Sequence, residues 1–194
     1  MSRVPSTTAP EGAVIPERHP KAPEIGTIIP SHFGHCFGCG ELHPTGLHLV
    51  AEAGAGADLT AKFTVTENHQ GAPGLAHGGL LSLAFDEALG KLMWLIRSPA
   101  VTARLETDFL KPVPMGTTIH ITARITGQVN RKVYTAAEGR LGGADGEIAV
   151  KAAALFVVVP MSHFLENAPK EYLEHIAKTP EILAFVDPEF EINP

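Results

Sequence analysis

Apolar positions along the chain follow two different rhythms, and the change between them marks the elements. From His77 to Arg97 the run HGGLLSLAFDEALGKLMWLIR carries Leu80, Leu81, Leu83, Phe85, Leu89, Leu92, Met93, Leu95 and Ile96. These positions cover most of a helical circumference rather than one stripe, which predicts a buried helix over Gly78–Arg97. It would be about 20 residues and roughly 30 Å long. On either side the rhythm is that of strands. Leu47–Ala53 and Leu59–Thr66 flank the Gly-rich AGAGAD turn and predict a hairpin. After Ser98-Pro99 come Thr102–Leu110, Thr117–Gln128 (with Ile119, Ile121, Ala123 and Ile125 in alternation), Val133–Leu141 and the apolar run Ile148–Val159. PMG, QVNR and GGADG supply the turns between them. The predicted order is two strands, one long helix, then four antiparallel strands. A curved antiparallel sheet wrapped around the helix is the simplest container for it.

The flanks read differently. Residues 1–30 hold six prolines and little periodicity, so they are expected to form an extended arm laid over the domain or over a partner subunit. Residues 31–160 form the domain. Residues 161–194 carry short amphipathic stretches (HFLENA, EYLEHIA, EILAFV) broken by Pro169, Pro180 and Pro188, expected as short peripheral helices and a tail.

Composition narrows the partners. The 194 residues are 44% hydrophobic and 19% charged, ordinary for one globular domain. Lys and Arg number 15 against 21 Asp and Glu, for a net charge of -6. Such a surface is a poor match for nucleic acid or an anionic membrane. No run approaches the roughly 18 apolar residues of a membrane span, and the amino-terminal residues lack the apolar core of a signal peptide. With Cys36 and Cys39 the only cysteines, the expected location is the cytoplasm.

Three charged residues interrupt the apolar helix: Asp86, Glu87 and Lys91. Glu87 and Lys91 stand four apart in the favourable order, so a surface ion pair accounts for both. Asp86, about 100° around the helix, has no such partner. A carboxylate there either faces a polar cleft or titrates abnormally; a bond to a neighbouring backbone or hydroxyl group is the bland alternative. At the helix start, His77-Gly78-Gly79 could expose backbone N–H groups at the positive end of the helix dipole and hold an oxyanion, or could be a tight turn that only packs closely. Asp86 lies roughly 12 Å along the axis from Gly78, too far for one carbonyl to touch both. Two helices packed antiparallel across a two-fold axis would bring Asp86 of one subunit to the glycines of the other. The chemistry thus predicts a dimer with shared active sites.

Cys36 and Cys39 form a C-x-x-C with His32, His35 and His43 nearby. A tetrahedral zinc site could be assembled from such groups. With no second C-x-x-C and no standard histidine spacing, a structural turn is the favoured reading and no metal is expected. A redox dithiol lacks the expected strand–helix setting.

The stretch HQGAPGLAHGGLLSLAFDEALG closely resembles the signature of the PaaI-type branch of hotdog thioesterases. VTARLETDFLKPVPMG resembles that family's second signature, and FGCG…HPTGL resembles the lead-in of one part of the family. The resemblance covers about residues 33–159 and implies an α+β hotdog fold. It implies hydrolysis of an acyl-CoA thioester with no metal or organic cofactor, CoA being part of the substrate. Asp86 falls on the catalytic carboxylate, as nucleophile or general base, and Gly78 on the residue whose N–H polarises the carbonyl. His77 would fix that loop, and Thr102 would help place water. Gln70, His69 and Gly79 would line the substrate site, though His69 and Gln70 could instead satisfy loop backbone. Arg131 and Lys132 match a basic pair near the CoA phosphates, or a solvated hairpin turn. Met93 and Trp94 read as core. The expected assembly is a homodimer or a dimer of dimers. Two other readings stay open: a hotdog enoyl-CoA hydratase pairing the acid with His77, and a non-catalytic acyl-CoA sensor.

Overall fold

A computed structural model describes residues 6–166, 168–170 and 173–174. In chain order the elements are β1 (Ile28–Ile29), β2 (Val50–Ala53), β3 (Asp58–Thr64), a 3-10 turn at Glu67–His69, α1 (Gly78–Lys91), α2 (Met93–Ile96), β4 (Ala100–Phe109), β5 (Thr118–Val129), β6 (Lys132–Leu141), β7 (Ile148–Val158) and α3 (Ser162–Leu165). The strands form one antiparallel sheet in the order β1-β2-β3-β5-β6-β7-β4. Alternation in sequence becomes alternation in burial: Leu59, Ala61 and Phe63 of β3, and Ile119, Ile121, Ala123 and Ile125 of β5, all point into the core. The sheet curls around α1, whose Leu81, Ala84, Phe85, Ala88 and Leu89 are buried against it. This is the hotdog architecture expected from the sequence.

Turn chemistry closes the hairpins where the sequence placed them. Gly116, Asn130 and Gly142 take positive φ in the PMG, QVNR and GGADG segments. One glycine matters for another reason. A Cβ on Gly139 of β6 would lie 2.6 Å from Phe85 Cζ, so the absence of a side chain lets the sheet approach the helix's largest buried ring.

Four expectations are corrected. The sheet has seven strands rather than six, because the arm contributes β1 through Ile28 and Ile29 pairing with Glu52 and Ala51. Ladder pairing in Leu47–Ala53 begins only at Val50, although Leu47 and Leu49 are buried as a strand's inner face would be. The helix is not continuous over Gly78–Arg97: the Leu92 amide bonds back to Leu89 O at 3.3 Å, a tightened turn just past Gly90, and Arg97 ends α2 in the left-handed region. Nor is α1 buried all round. Ser82, Leu83, Asp86 and Gly90 are only half-buried, a strip at three- and four-residue spacing.

The arm does lie over the domain. Thr7 donates to Glu106 of β4, Val14 bridges Gln128 of β5, and Arg18 donates to the Gly54 and Gly56 carbonyls of the β2–β3 turn at 2.9 and 3.1 Å. Of the expected carboxy-terminal helices, α3 is seen, whereas EILAFV and most of EYLEHIA lie outside the described residues. No described helix is long and apolar enough to cross a membrane.

The Gly139 contact yields a stability test. Gly139→Ala should destabilise the fold by roughly 1–3 kcal/mol, because the new methyl must displace a fully buried Phe85. Urea unfolding followed by circular dichroism measures it. An unchanged midpoint would show that the ring can yield freely.

Candidate active site

Where α1 passes the start of β4, Thr102 Oγ1 donates a 2.8 Å hydrogen bond to Asp86 Oδ1. Partial burial pushes the Asp86 pKa above the ordinary carboxylate range, and the Thr102 bond works against that shift by favouring the ionised form. The bulge that places Thr102 here is visible in the ladder: register between β4 and β7 slips between Thr102 and Arg104. Such a bulge re-aims the side chains beside it. Asp86 and Thr102 are thus brought together.

At the other end of α1, His77 caps the helix, its Nδ1 accepting the Gly79 amide at 2.9 Å. The His77 carbonyl accepts from Leu80 and Leu81 at 3.0 and 3.1 Å. Among the described residues no protein group takes the Gly78 amide, which stands at the positive end of the dipole. The Gly79 amide, by contrast, is already committed. Gly78 borders a cavity of about 320 Å³ lined by Leu75, Ala76, Leu81, Phe109 and Val113 among others. That volume is at the small end of the range for ligand pockets.

The loop before the helix is braced from within. His69 is 2% exposed; its Nδ1 accepts the Thr66 amide at 3.0 Å and its Nε2 lies 3.2 Å from Gly46 O. The ring thus ties the Thr66 loop to the Gly46 loop. Gln70 Oε1 accepts from Gly74 N–H at 3.1 Å and closes the QGAPG turn. Arg131 Nε donates to Val158 O at 2.8 Å. Neighbouring Lys132 pairs with Val157, which pairs with Val101. The basic pair therefore sits at the Thr102 end of the sheet, two strands or roughly 10 Å away.

The Glu87–Lys91 pair is not on the surface. Lys91 is 3% exposed, and its Nζ lies 3.8 Å from Glu87 Oε1 while donating to Pro30 O at 3.0 Å. Glu87 also accepts from Cys36 Sγ at 3.4 Å and lies 3.9 Å from His32 Nδ1. Burial, then the neighbouring Cys39, pushes the Glu87 carboxyl up to about 7. Gly38 allows the approach, since a Cβ there would come within 2.4 Å of Glu87 Oε2. Helical spacing offered Lys91 as the partner; the cysteine loop, some fifty positions earlier, could not be seen by local pattern.

The chain is similar to known thioesterases. Residues 73–145 match the family model described as Thioesterase superfamily. Over 88 residues the chain is 30% identical to acyl-coenzyme A thioesterase THEM4 of Xenopus laevis, covering 45% of this chain and 39% of that protein. It is 31% identical to a crystal structure of a thioesterase superfamily protein, with a TM-score of 0.52 over 56% of this chain and 53% of the other. The Escherichia coli PaaI protein of a phenylacetic acid degradation operon shares the fold at 19% identity, TM-score 0.54, over 58% and 80% of the two chains. The chain thus spans about two fifths of the curated relative's length.

A carboxylate with a raised pKa is a burden on the fold. The native state holds the Asp86 proton more tightly than the unfolded chain, so this group's contribution to stability declines as pH rises from the ordinary carboxylate pKa through the native one. Asp86→Asn removes that penalty. The variant should melt no lower than wild type at pH 7, and its advantage should vanish below the ordinary carboxylate range. A clear drop in melting temperature at pH 7 would contradict the assignment.

Proposed function

We propose that this hotdog domain of the thioesterase superfamily hydrolyses an acyl-CoA thioester to a free acid and CoA, with Asp86 as its catalytic carboxylate. The observation that carries the reading is the partly buried Asp86 held by Thr102 on the flank of α1. Thr102 occupies Oδ1, which leaves Oδ2 to take a proton from water. A carboxylate whose pKa burial raises, with one oxygen left open, suits that general-base role. The Gly78 N–H, aided by the helix dipole and held in place by the His77 cap, would stabilise the oxyanion that forms.

A second copy of the chain would complete the site. β4 is a sheet edge, and an unpaired edge of ten residues is a template for another strand. Along β4, Thr102 lies beside Asp86 and Phe109 beside Gly78. If two β4 strands pair antiparallel about a point between Leu105 and Glu106, Thr102 of one faces Phe109 of the other. Asp86 of one subunit then approaches the Gly78 amide of its partner. The pairing would also cover Phe109 and Leu110, each about half exposed in one chain (52% and 54%). Arg131 and Lys132, at the Thr102 end, would meet the CoA phosphates, and Gly79 and Gln70 would bound the pocket mouth. Two free cysteines fit a reducing compartment such as the cytoplasm. The chemistry assigned to these residues requires no metal or organic cofactor.

Thiol release from a panel of short, long and aryl acyl-CoAs tests the reaction. Asp86→Asn should lower kcat by at least about 10²-fold, as expected for loss of a general base. Hydration of 2-enoyl-CoA, or tight binding with no CoA released, would overturn the assignment. In Thr102→Val the acid limb of kcat/KM should move to higher pH, because the lost hydrogen bond was favouring the ionised carboxylate. A shift to lower pH would remove Thr102 from its place beside the acid.

A further inference from the structure

The buried ion pair on α1 belongs to a larger cluster that the proposed hydrolysis does not use. His32 Nδ1, Cys36 Sγ, Cys39 Sγ and a Glu87 oxygen all lie within 4.8 Å of one another. Individual separations are 3.4 Å for Cys36 to Glu87, 3.5 Å for Cys39 to His32 and 3.9 Å for His32 to Glu87. Zinc binds thiolate at about 2.3 Å and imidazole or carboxylate at about 2.0–2.2 Å, so a tetrahedral site needs ligand-to-ligand edges of roughly 3.3–3.8 Å. The cluster is already close to that size. We propose that His32, Cys36, Cys39 and Glu87 form a four-ligand structural site for a divalent ion of the zinc class.

Charge supports the assignment. Two thiolates and a carboxylate crowded beside one ammonium, Lys91, would leave this interior strongly negative. A divalent cation with a neutral imidazole brings the site, Lys91 included, to neutrality. Soft sulfur with nitrogen and oxygen selects zinc-like ions over magnesium or calcium. The loop is shaped for its sulfurs. The Gly40 amide bonds to Cys36 O at 2.8 Å. A Cβ on Gly40 would come within 2.4 Å of Gly34 O, so this tight turn admits no side chain there. His32, with half its side chain exposed, gives an ion a way in. His35 and His43 are not members: they make edge-on ring contacts with Phe33 and Phe37.

The proposal reverses the expectation from sequence alone, where the fourth ligand was invisible. It gives the ion a mechanical task. Bound there, it would clamp residues 32–39 to α1 at the position next to Asp86, whatever reaction that acid performs.

The full chain, expressed with zinc in the medium and desalted, should retain about one ion per chain by plasma mass spectrometry, as a closed four-ligand site would. Cobalt(II) loaded into the reduced protein should show the intense visible bands of tetrahedral coordination and a thiolate charge-transfer band. Cys36→Ser/Cys39→Ser should lose both signals, and His43→Ala should keep both. If the double variant fails to fold, the wild-type cobalt spectrum decides alone. Weak octahedral bands or no cobalt binding would overturn the site. So would full metal content in the double variant, or a Cys36–Cys39 disulfide in chain isolated without oxidant.

Discussion

The Thr102 hydroxyl meets the Asp86 carboxylate at 2.8 Å where α1 runs past the first residues of β4, and the α1–β4 seam sets the rest of the arrangement. Helix and strand run in opposite directions along it. One end therefore holds the acid and its hydroxyl partner, while the other holds Gly78 beside Phe109. The bulge after Thr102 lets one strand serve both ends, turning Thr102 toward the acid while Phe109 still faces the helix start. Separation of acid and amide along a single helix is the constraint behind the proposed pairing of two chains.

Desolvation acts twice on α1 with opposite handling. Asp86 lies on the half-buried strip, where burial raises its pKa and one hydroxyl works against that shift. Glu87, one position on, turns inward to a set of thiols, an imidazole and a lysine. Adjacent carboxylates thus sit in different surroundings because 100° of helical rotation separates them. One lies on the half-buried strip and the other anchors the helix to the loop before β2.

The sequence was most legible where burial and periodicity agree. Ile119, Ile121, Ala123 and Ile125 announced β5, and the near-continuous apolar run at 148–159 announced β7, each with turn residues at its border. Asp86, Thr102 and His77 were legible as a group through the family signature, and the contacts of the first two and the cap formed by the third now have geometry. Pairings between distant segments were not legible. β1 exists only because Ile28 and Ile29 find β2. Whether His69 would line a site or brace a loop was not legible, because a polar side chain in a loop carries no mark of whether backbone will claim it. Glu87 and Lys91 obeyed the helical pairing rule, yet that rule says nothing about which side of the helix is dry.

The contact between Gly38 and Glu87 carries a consequence for how this protein can change over time. A bare α-carbon at one position and a long acid at the other fit together as a pair. A side chain at 38 becomes admissible only after 87 has shortened, and a shortened 87 opens a void that favours such an addition. Across descendants of this gene the two sites should drift jointly, an evolutionary tie between positions 49 apart in the chain.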